Sequence, residues 1–291
     1  MPLTLQSSYL TSGFTWLRGN LHAHTNFTDG AFSPEEVIAL YEKQGYDFLA
    51  ISDHDKLVPP TEYQSLTQMV LIPADEVTAN GPHLLGVQIK EVIEPATNRQ
   101  QAVDAITTQG GFAILNHPNW RQEFNHWPQE LMQSLNGYGG IEIYNGVIER
   151  EPGSSLALDR WDRLLSSGRR VWGYAHDDFH AAIDLARGWN VVQAAERSVW
   201  AICNALRQGQ FYASTGVEIT QVQVAGNSIA ITAPDAQRIR FVGEWGKEIL
   251  YANENYAHYE VTGAEGSYIR VECYGAGIKA AWTQPIYLNT E

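Results

Sequence analysis

The sequence predicts an α/β protein, a mostly parallel sheet with helical crossovers, followed by a small antiparallel β-sandwich. Apolar runs of about five residues alternate with amphipathic stretches from Thr15 to Tyr212. Beyond Tyr212 the runs shorten and alternate, as in Val217-Glu218-Ile219-Thr220-Gln221-Val222-Gln223-Val224, and turn pairs Gly226-Asn227 and Pro234-Asp235 break them. A chain of 291 residues, 44% hydrophobic and 18% charged, can bury a large core. The expected units are residues 1–212 and 213–291.

Strands are expected near Trp16 to Leu21, Phe48 to Ser52, Val70 to Pro73, Leu84 to Ile89, Phe112 to Asn116, Ile141 to Tyr144, Val171 to Ala175 and Asn190 to Gln193. The clearest helix start is Ser33-Pro34-Glu35-Glu36, where Ser33 caps, Pro34 suits the first helical position and Gly45 stops the helix. Others are expected after Asn98, Ser154 and Ser198. The stretch from Ser154 to Ser167 places Leu156, Trp161, Leu164 and Leu165 on one face, and Gly168 ends it.

Charge and cysteine content exclude several classes of function. Lys and Arg total 19 against 33 Asp and Glu, a net charge of −14, whose field repels extended nucleic acid. Cys203 and Cys273 form neither a CxxC pair nor a disulfide framework, so a reducing compartment and inert core positions are expected. Met1 to Thr11 lacks a signal-peptide pattern, and no apolar run approaches the roughly 18 residues of a membrane span. A cytoplasmic protein with no membrane partner is expected.

The histidines are more informative. His22-Ala23-His24 follows an apolar strand, and residues i and i+2 of an extended chain share a face, so two imidazoles can grip one ion. Thr28-Asp29-Gly30 puts a carboxylate on a turn just downstream. Ser52-Asp53-His54-Asp55 ends the next strand, a run that is costly to bury unless paired or bound to a cation. Glu76 follows Met69-Val70-Leu71-Ile72-Pro73, His83 opens Leu84-Leu85-Gly86-Val87, and His117 follows Phe112-Ala113-Ile114-Leu115. Asp178 and His180 form a second i, i+2 pair after Val171-Trp172-Gly173-Tyr174. Every cluster except His83 lies at the C-terminal end of an expected strand, where parallel α/β barrels build their sites. Ligands of N and O type suit Zn, Mn or Fe.

The ordered set His22-Ala23-His24-Thr25-x-x-Thr28-Asp29-Gly30, Ser52-Asp53-His54-Asp55, Glu76, Asn116-His117-Pro118 and Asp178-x-His180 resembles the polymerase-and-histidinol-phosphatase (PHP) metal-dependent phosphoesterases, over roughly Arg18 to Thr215. Phe211-Tyr212-Ala213-Ser214-Thr215-Gly216 and the β-rich tail look like the carbaryl-hydrolase-like branch. The resemblance implies a distorted (β/α)7 TIM-like barrel holding two or three divalent ions. It implies one ion on His22, His24, Glu76 and Asp178, a second shared by Glu76 with His83 and His117, and a third on Asp29, His54 and His180.

Three divalent ions against Asp29, Glu76 and Asp178 leave about +3, reduced to about +2 by a bridging hydroxide. That suits a phosphate monoester dianion, so the expected ligand is a small phosphate ester or phosphate, attacked by a metal-bridging hydroxide. No Ser-His-Asp elbow or P-loop competes. Arg18, Lys56, Arg121 and Arg187 are candidates for phosphate contact, and His176, Asp53 and Asp55 for proton transfer or for supporting the ligands. Trp120, Trp127 and Trp189 are candidates for a pocket wall, while His126 and His258 read as surface residues. The same site could instead cleave an amide, ester or carbamate, and a noncatalytic scaffold with a β-sandwich binding module is a third reading.

Overall fold

The computed structural model describes residues 3–290. Residues 1, 2 and 291, the outer ends of the two expected units, lie outside the described residues. In chain order the first part contains β1 (Leu3–Gln6), β2 (Thr15–Asn20), α1 (Pro34–Lys43), β3 (Phe48–Leu49), α2 (Pro60–Tyr63), β4 (Val70–Leu71), β5 (Ala74–Val77), β6 (Leu84–Val87) and α3 (Arg99–Thr108). It continues with β7 (Phe112–Leu115), α4 (Gln129–Ser134), β8 (Gly140–Asn145), α5 (Leu158–Ser166), β9 (Trp172–His176), β10 (Trp189–Ala194), α6 (Val199–Arg207) and β11 (Phe211–Ser214). The tail adds β12 (Gln221–Ala225), β13 (Ser228–Thr232), β14 (Arg238–Val242), β15 (Glu248–Ala252), β16 (Tyr256–Glu260), β17 (Tyr268–Tyr274), β18 (Ala280–Thr283) and β19 (Ile286–Thr290).

Local chemistry explains the helix starts. Ser33 and Glu36 form a reciprocal capping box at α1, with Pro34 at its first position, and Gly45 takes the left-handed turn beyond its end at φ +76°. Asn98 and Ser198 cap α3 and α6 through their side chains. The helix expected from Ser154 starts only at Leu158, and Leu156 lies outside it, exposed. The backbone of 155–157 is spent on β8 instead: Asn145 N–H donates to Ser155 O, and Ala157 N–H donates to Ile143 O.

The fold is mixed α/β, but less parallel than the alternation suggests. Parallel ladders join β2-β3-β4 and β7-β8-β9, and isolated parallel bridges join Ala23 to Phe179 and His54 to Glu76. β5, β6 and β7 pair antiparallel, and β10 runs antiparallel to both β2 and β11. The segment joining β5 to β6 covers only residues 78–83, too short for the crossover a parallel pair needs. The ladders do not close into the ring expected of a barrel: β5-β6-β7-β8-β9 is a separate five-stranded sheet. Along β9 two buried amides replace a neighbouring strand. Asn190 bonds both the N–H (3.2 Å) and the C=O (3.0 Å) of Ala175, and Gln284 bonds both groups of Gly173 (2.9 and 2.8 Å).

The tail shares hydrogen bonds with the first part. Residues 212 and 213 fall within β11, which pairs with β10 on one side and β18 on the other, while β1 pairs with β19. Ile229, Ile231, Ile239, Phe241, Val271 and Ile286 share one buried cluster, separate from the clusters around β3 and β7. Cys203 and Cys273 are free and buried, and burial pushes the Cys203 thiol up to about 12. Among the described residues no helix is long and apolar enough to cross a membrane.

A buried ionic group ties α5 to β17. Arg270 donates to Asp162 through Nε (2.9 Å) and Nη2 (2.7 Å) and to Glu272 through Nη1 (2.5 Å), and Tyr268 also donates to Asp162. Replacing Arg270 with methionine leaves Asp162 buried without its cation, while Glu272 keeps only Arg240 (3.0 Å). The expected loss is about 3–5 kcal/mol in urea unfolding, and an unchanged midpoint would show that the network carries no stability.

Candidate metal centre

The histidines and acids converge because successive strands end at one place. His22 and His24 leave β2 on the same face; their rings are 5.1 Å apart. The Asp29 turn tucks beneath them, so closely that a Cβ on Gly30 would lie 2.6 Å from the His24 carbonyl oxygen. His54 follows β3, Glu76 sits on β5, His83 precedes β6 and His117 follows β7. Asp178 and His180 lie on the loop after β9, which is held by Asp177. That carboxylate accepts the amides of Ala186, Arg187 and Gly188 and the Tyr41 hydroxyl. His117 (φ +32°) and Asp178 (φ +53°) take left-handed backbone where these two donors turn inward.

Glu76 is the hub. Oε1 lies 3.3 Å from His22 Nε2, His83 Nδ1 and His117 Nε2, and Oε2 lies 2.8 Å from His54 Nδ1 and 3.6 Å from His24 Nε2. Asp178 Oδ1 is 3.1 Å from His22 Nε2 and 3.0 Å from His24 Nε2. Asp29 Oδ2 is 3.2 Å from His54 Nε2 and 3.3 Å from His180 Nε2. All nine residues expected to ligate therefore share one site, and ligand atoms of His24, Asp29, His54 and His180, of His22, His24 and Glu76, and of His54, Glu76 and His83 fall within 4.8 Å of one another.

The residues fit a cation. His22 Nε2, His24 Nδ1, His54 Nδ1 and Glu76 Oε2 are buried without a hydrogen-bond partner, although His54 Nδ1 and Glu76 Oε2 nearly touch. Leaving so many buried polar atoms unpaired is costly unless an ion takes their lone pairs. The electrostatics express the same crowding. Burial opposes ionisation of Glu76 and Asp178, yet the histidines around them hold both carboxyls well below their usual range. Burial would lower His54 and His180, but Asp29 with Glu76 raises His54 to about 10, and Asp29 with Asp178 raises His180 to about 9. Burial dominates at His24 and His83 and lowers both.

The surrounding residues correct several expectations. Asp53 accepts Thr25 N–H and the hydroxyls of Thr25 and Thr28; Asp55 accepts Thr78 N–H, Thr78 hydroxyl and Ala79 N–H. Both hold loops of the site, which fits the supporting role of the two that the sequence allowed. His176 is fully buried behind His22, lines no part of the cavity and contacts Glu142 (2.8 Å), which fits the same role. Arg18 is sandwiched by Tyr46 and Trp189, at 4.2 and 3.7 Å from their ring centroids, outside the site. Lys56 lies over Phe27, Arg121 over Trp120, and Arg187 bonds Ile183 O; none lines the cavity. Of the tryptophans only Trp120 lines it, and Trp127 is core. His258 is exposed as expected, whereas His126 is buried, accepts His83 N–H at Nε2 (2.9 Å) and packs against His83 and His117.

Two functional residues escape the sequence reading. Glu142, in mid-strand on β8, contacts His22 Nδ1 (2.7 Å) and His176 Nδ1 (2.8 Å), and accepts His117 N–H (2.6 Å) and Asn145 Nδ2–H (2.8 Å). The signal was a carboxylate between Ile141 and Ile143, in a run apolar enough to be wholly buried. It aims the free nitrogen of His22 at Glu76 and Asp178. Glu142→Gln places an amide donor against existing donors; metal affinity is expected to fall about 10–100-fold by calorimetry, and an unchanged affinity would remove Glu142 from this role. Arg150 follows β8, lines the cavity and clasps Asp184 through Nε (2.7 Å) and Nη2 (2.9 Å). Asp184 in turn accepts the amides of His180 and Ala181.

No protein-family model matches the chain. Against solved structures, it aligns with a two-domain protein from Bacteroides vulgatus containing a predicted PHP-like metal-dependent phosphoesterase, at 18% identity and a TM-score of 0.58, over 98% of this chain and 90% of that one.

The fold is PHP-like.

Among curated sequences, an uncharacterised protein of Methanocaldococcus jannaschii is 26% identical over 117 residues, 35% of this chain and 68% of its own length. The DNA polymerase/3′-5′ exonuclease PolX of Bacillus subtilis is 42% identical over 40 residues, covering 14% of this chain and only 7% of PolX. This PHP-like chain thus gathers its histidines and acids at the ends of strands that sequence similarity covers only in part.

Proposed function

We infer that the chain is a metal-dependent hydrolase of small phosphate monoesters. The observation that carries this reading is the convergence of nine nitrogen- and oxygen-donor residues, Glu76 at their hub, with buried ring nitrogens left unpaired. His22, His24, Glu76 and Asp178 would hold one ion, Glu76 with His83 and His117 a second, and Asp29, His54 and His180 a third; Zn, Mn and Fe suit such donors. When bound, divalent cations supply charge for the phosphate oxygens and a source of hydroxide at neutral pH.

The protein's own part is placement. Glu142 orients His22, Asp177 holds the loop carrying Asp178 and His180, and Arg150 acts on that loop through Asp184. Burial first raises and the imidazoles then lower Glu142, which settles at about 2 and so is ionised. Counting it with Asp29, Glu76 and Asp178, three divalent ions against four carboxylates leave about +2, or about +1 with a bridging hydroxide, one less in each case than the sequence alone suggested. The pocket stays positive and so attracts a phosphate monoester dianion. The phosphoesterase description of the B. vulgatus protein supports the same choice. We read the two larger sheets as one distorted barrel completed by the Asn190 and Gln284 amides, and residues 213–291 as a β unit whose core takes in Tyr9, Val191 and Tyr212 of the first part.

The test is chelation, metal analysis and readdition of Zn, Mn or Fe, with turnover of p-nitrophenyl phosphate and of an aryl carbamate followed in parallel. Metal-restored cleavage of the phosphate is expected. Metal-independent turnover, or cleavage of the carbamate alone, would overturn the reading, the latter in favour of a carbonyl hydrolase of the carbaryl-hydrolase-like kind.

A further inference from the structure

The geometry points to a substrate whose leaving group is small, uncharged and apolar, an inference that rests on the phosphomonoester reading above. The cavity measures about 240 Å³, below the ~300–1,000 Å³ of common ligand pockets, so a phosphate and one ring or short chain fill it. Beyond the donors around Glu76, its lining includes Trp120, Val147 and Ile148, with Arg150 and Glu151.

Val147 and Ile148 lie on the turn just after β8 and are 7% and 3% exposed, so the little surface they show belongs to this cavity. The Trp120 ring packs edge-on against His83 (5.5 Å) and His117 (5.0 Å), and its backbone N–H bonds His117 O. It is therefore an aromatic wall of the cavity held beside His83 and His117. A leaving group carrying hydroxyls would give up water there and meet no side-chain partner on Val147 or Ile148.

A second anion is equally ill served. Among the described residues lining the cavity, the arginine is Arg150, and Asp184 already takes its Nε and Nη2, while Nη1 stands 3.7 Å from Glu151. Arg121 turns its guanidinium onto the Trp120 ring, 4.9 Å from the centroid, and does not line the cavity. Glu151 adds negative charge to the lining.

The experiment compares benzyl phosphate, glycerol 3-phosphate and phosphoglycolate, all primary-alcohol phosphates, on the metal-loaded full chain. Benzyl phosphate is expected to have a kcat/KM at least about tenfold above each of the others. Trp120→Ala and Ile148→Asn are each expected to narrow the benzyl-to-glycerol ratio; Ile148→Thr replaces the latter if circular dichroism shows lost fold. Equal or inverted preference, or a ratio unmoved in both variants, overturns this inference and leaves the phosphomonoester reading standing. No turnover of any of the three overturns this inference, and no turnover of p-nitrophenyl phosphate either, with any of the metals, overturns both.

Discussion

Glu76→Ala is expected to abolish metal retention and lower turnover by roughly 10³-fold or more, beyond the ~10–100-fold that an orienting partner commands. The reason is topological. Glu76 is the carboxylate within 3.6 Å of five imidazoles, His22, His24, His54, His83 and His117, so its loss strips ligand charge from two of the three inferred ions at once. Asn116 donates to Glu76 Oε1 at 2.7 Å, so Glu76→Gln brings its own amide against that donor and is expected to fail nearly as badly. Elemental analysis after gel filtration, with circular dichroism as the control for folding, decides the matter. A Glu76→Ala protein that keeps its full complement of metal would show that the cluster is not the metal centre.

Metal uptake is expected to release at least two protons per chain near pH 7.5 and to tighten by about a hundredfold per pH unit between 7 and 9. In the metal-free protein His54 and His180 are held protonated, with burial opposed and overruled by Asp29, Glu76 and Asp178, at about 10 and about 9. An ion needs both nitrogens free, and each displaced proton contributes about a factor of ten per unit. The stability of the metal-free fold moves the other way. Both values are raised above the ordinary histidine range, so these pairs stabilise the fold below about pH 6.5 and cease to do so as pH climbs through 9 to 10. Metal-induced thermal stabilisation should therefore grow from pH 7 to 9. Calorimetry in buffers of differing ionisation enthalpy measures the proton count; fewer than one proton, or a flat affinity, would contradict the charge states assigned to His54 and His180.

The order of strands was readable because an apolar run of four to six residues cannot be solvated cheaply, and all eight such runs overlap observed strands, seven of them within two residues at both ends. β5 was missed, since Ala74-Asp75-Glu76-Val77 alternates no apolar face; both carboxylates are buried, Glu76 among the histidines and Asp75 accepting Ile93 N–H, partners that only the fold supplies. The ligand cluster was legible for a different reason. Imidazoles and acids placed just past core strands are expensive to bury, so their recurrence signals a cation even when each one alone is ordinary. The arginines went the other way. Arg18 and Arg187 neighbour the clusters in sequence, yet side-chain direction sends Arg18 onto Tyr46 and Trp189 and Arg187 toward Ile183, whereas Arg150 comes to the cavity from a turn with no chemical mark.

What the sequence determined by itself is local: where strands and caps begin, and which side chains are too polar to bury without a partner. Tertiary structure alone decided that Glu76 is the hub, that Glu142 stands behind His22, that His126 is interior, and that a wall of Trp120, Val147 and Ile148 bounds the cavity. The distinction is physical, because hydrogen-bond capacity and apolar periodicity are properties of neighbours in the chain, while the partner that satisfies a buried group is supplied from a hundred residues away.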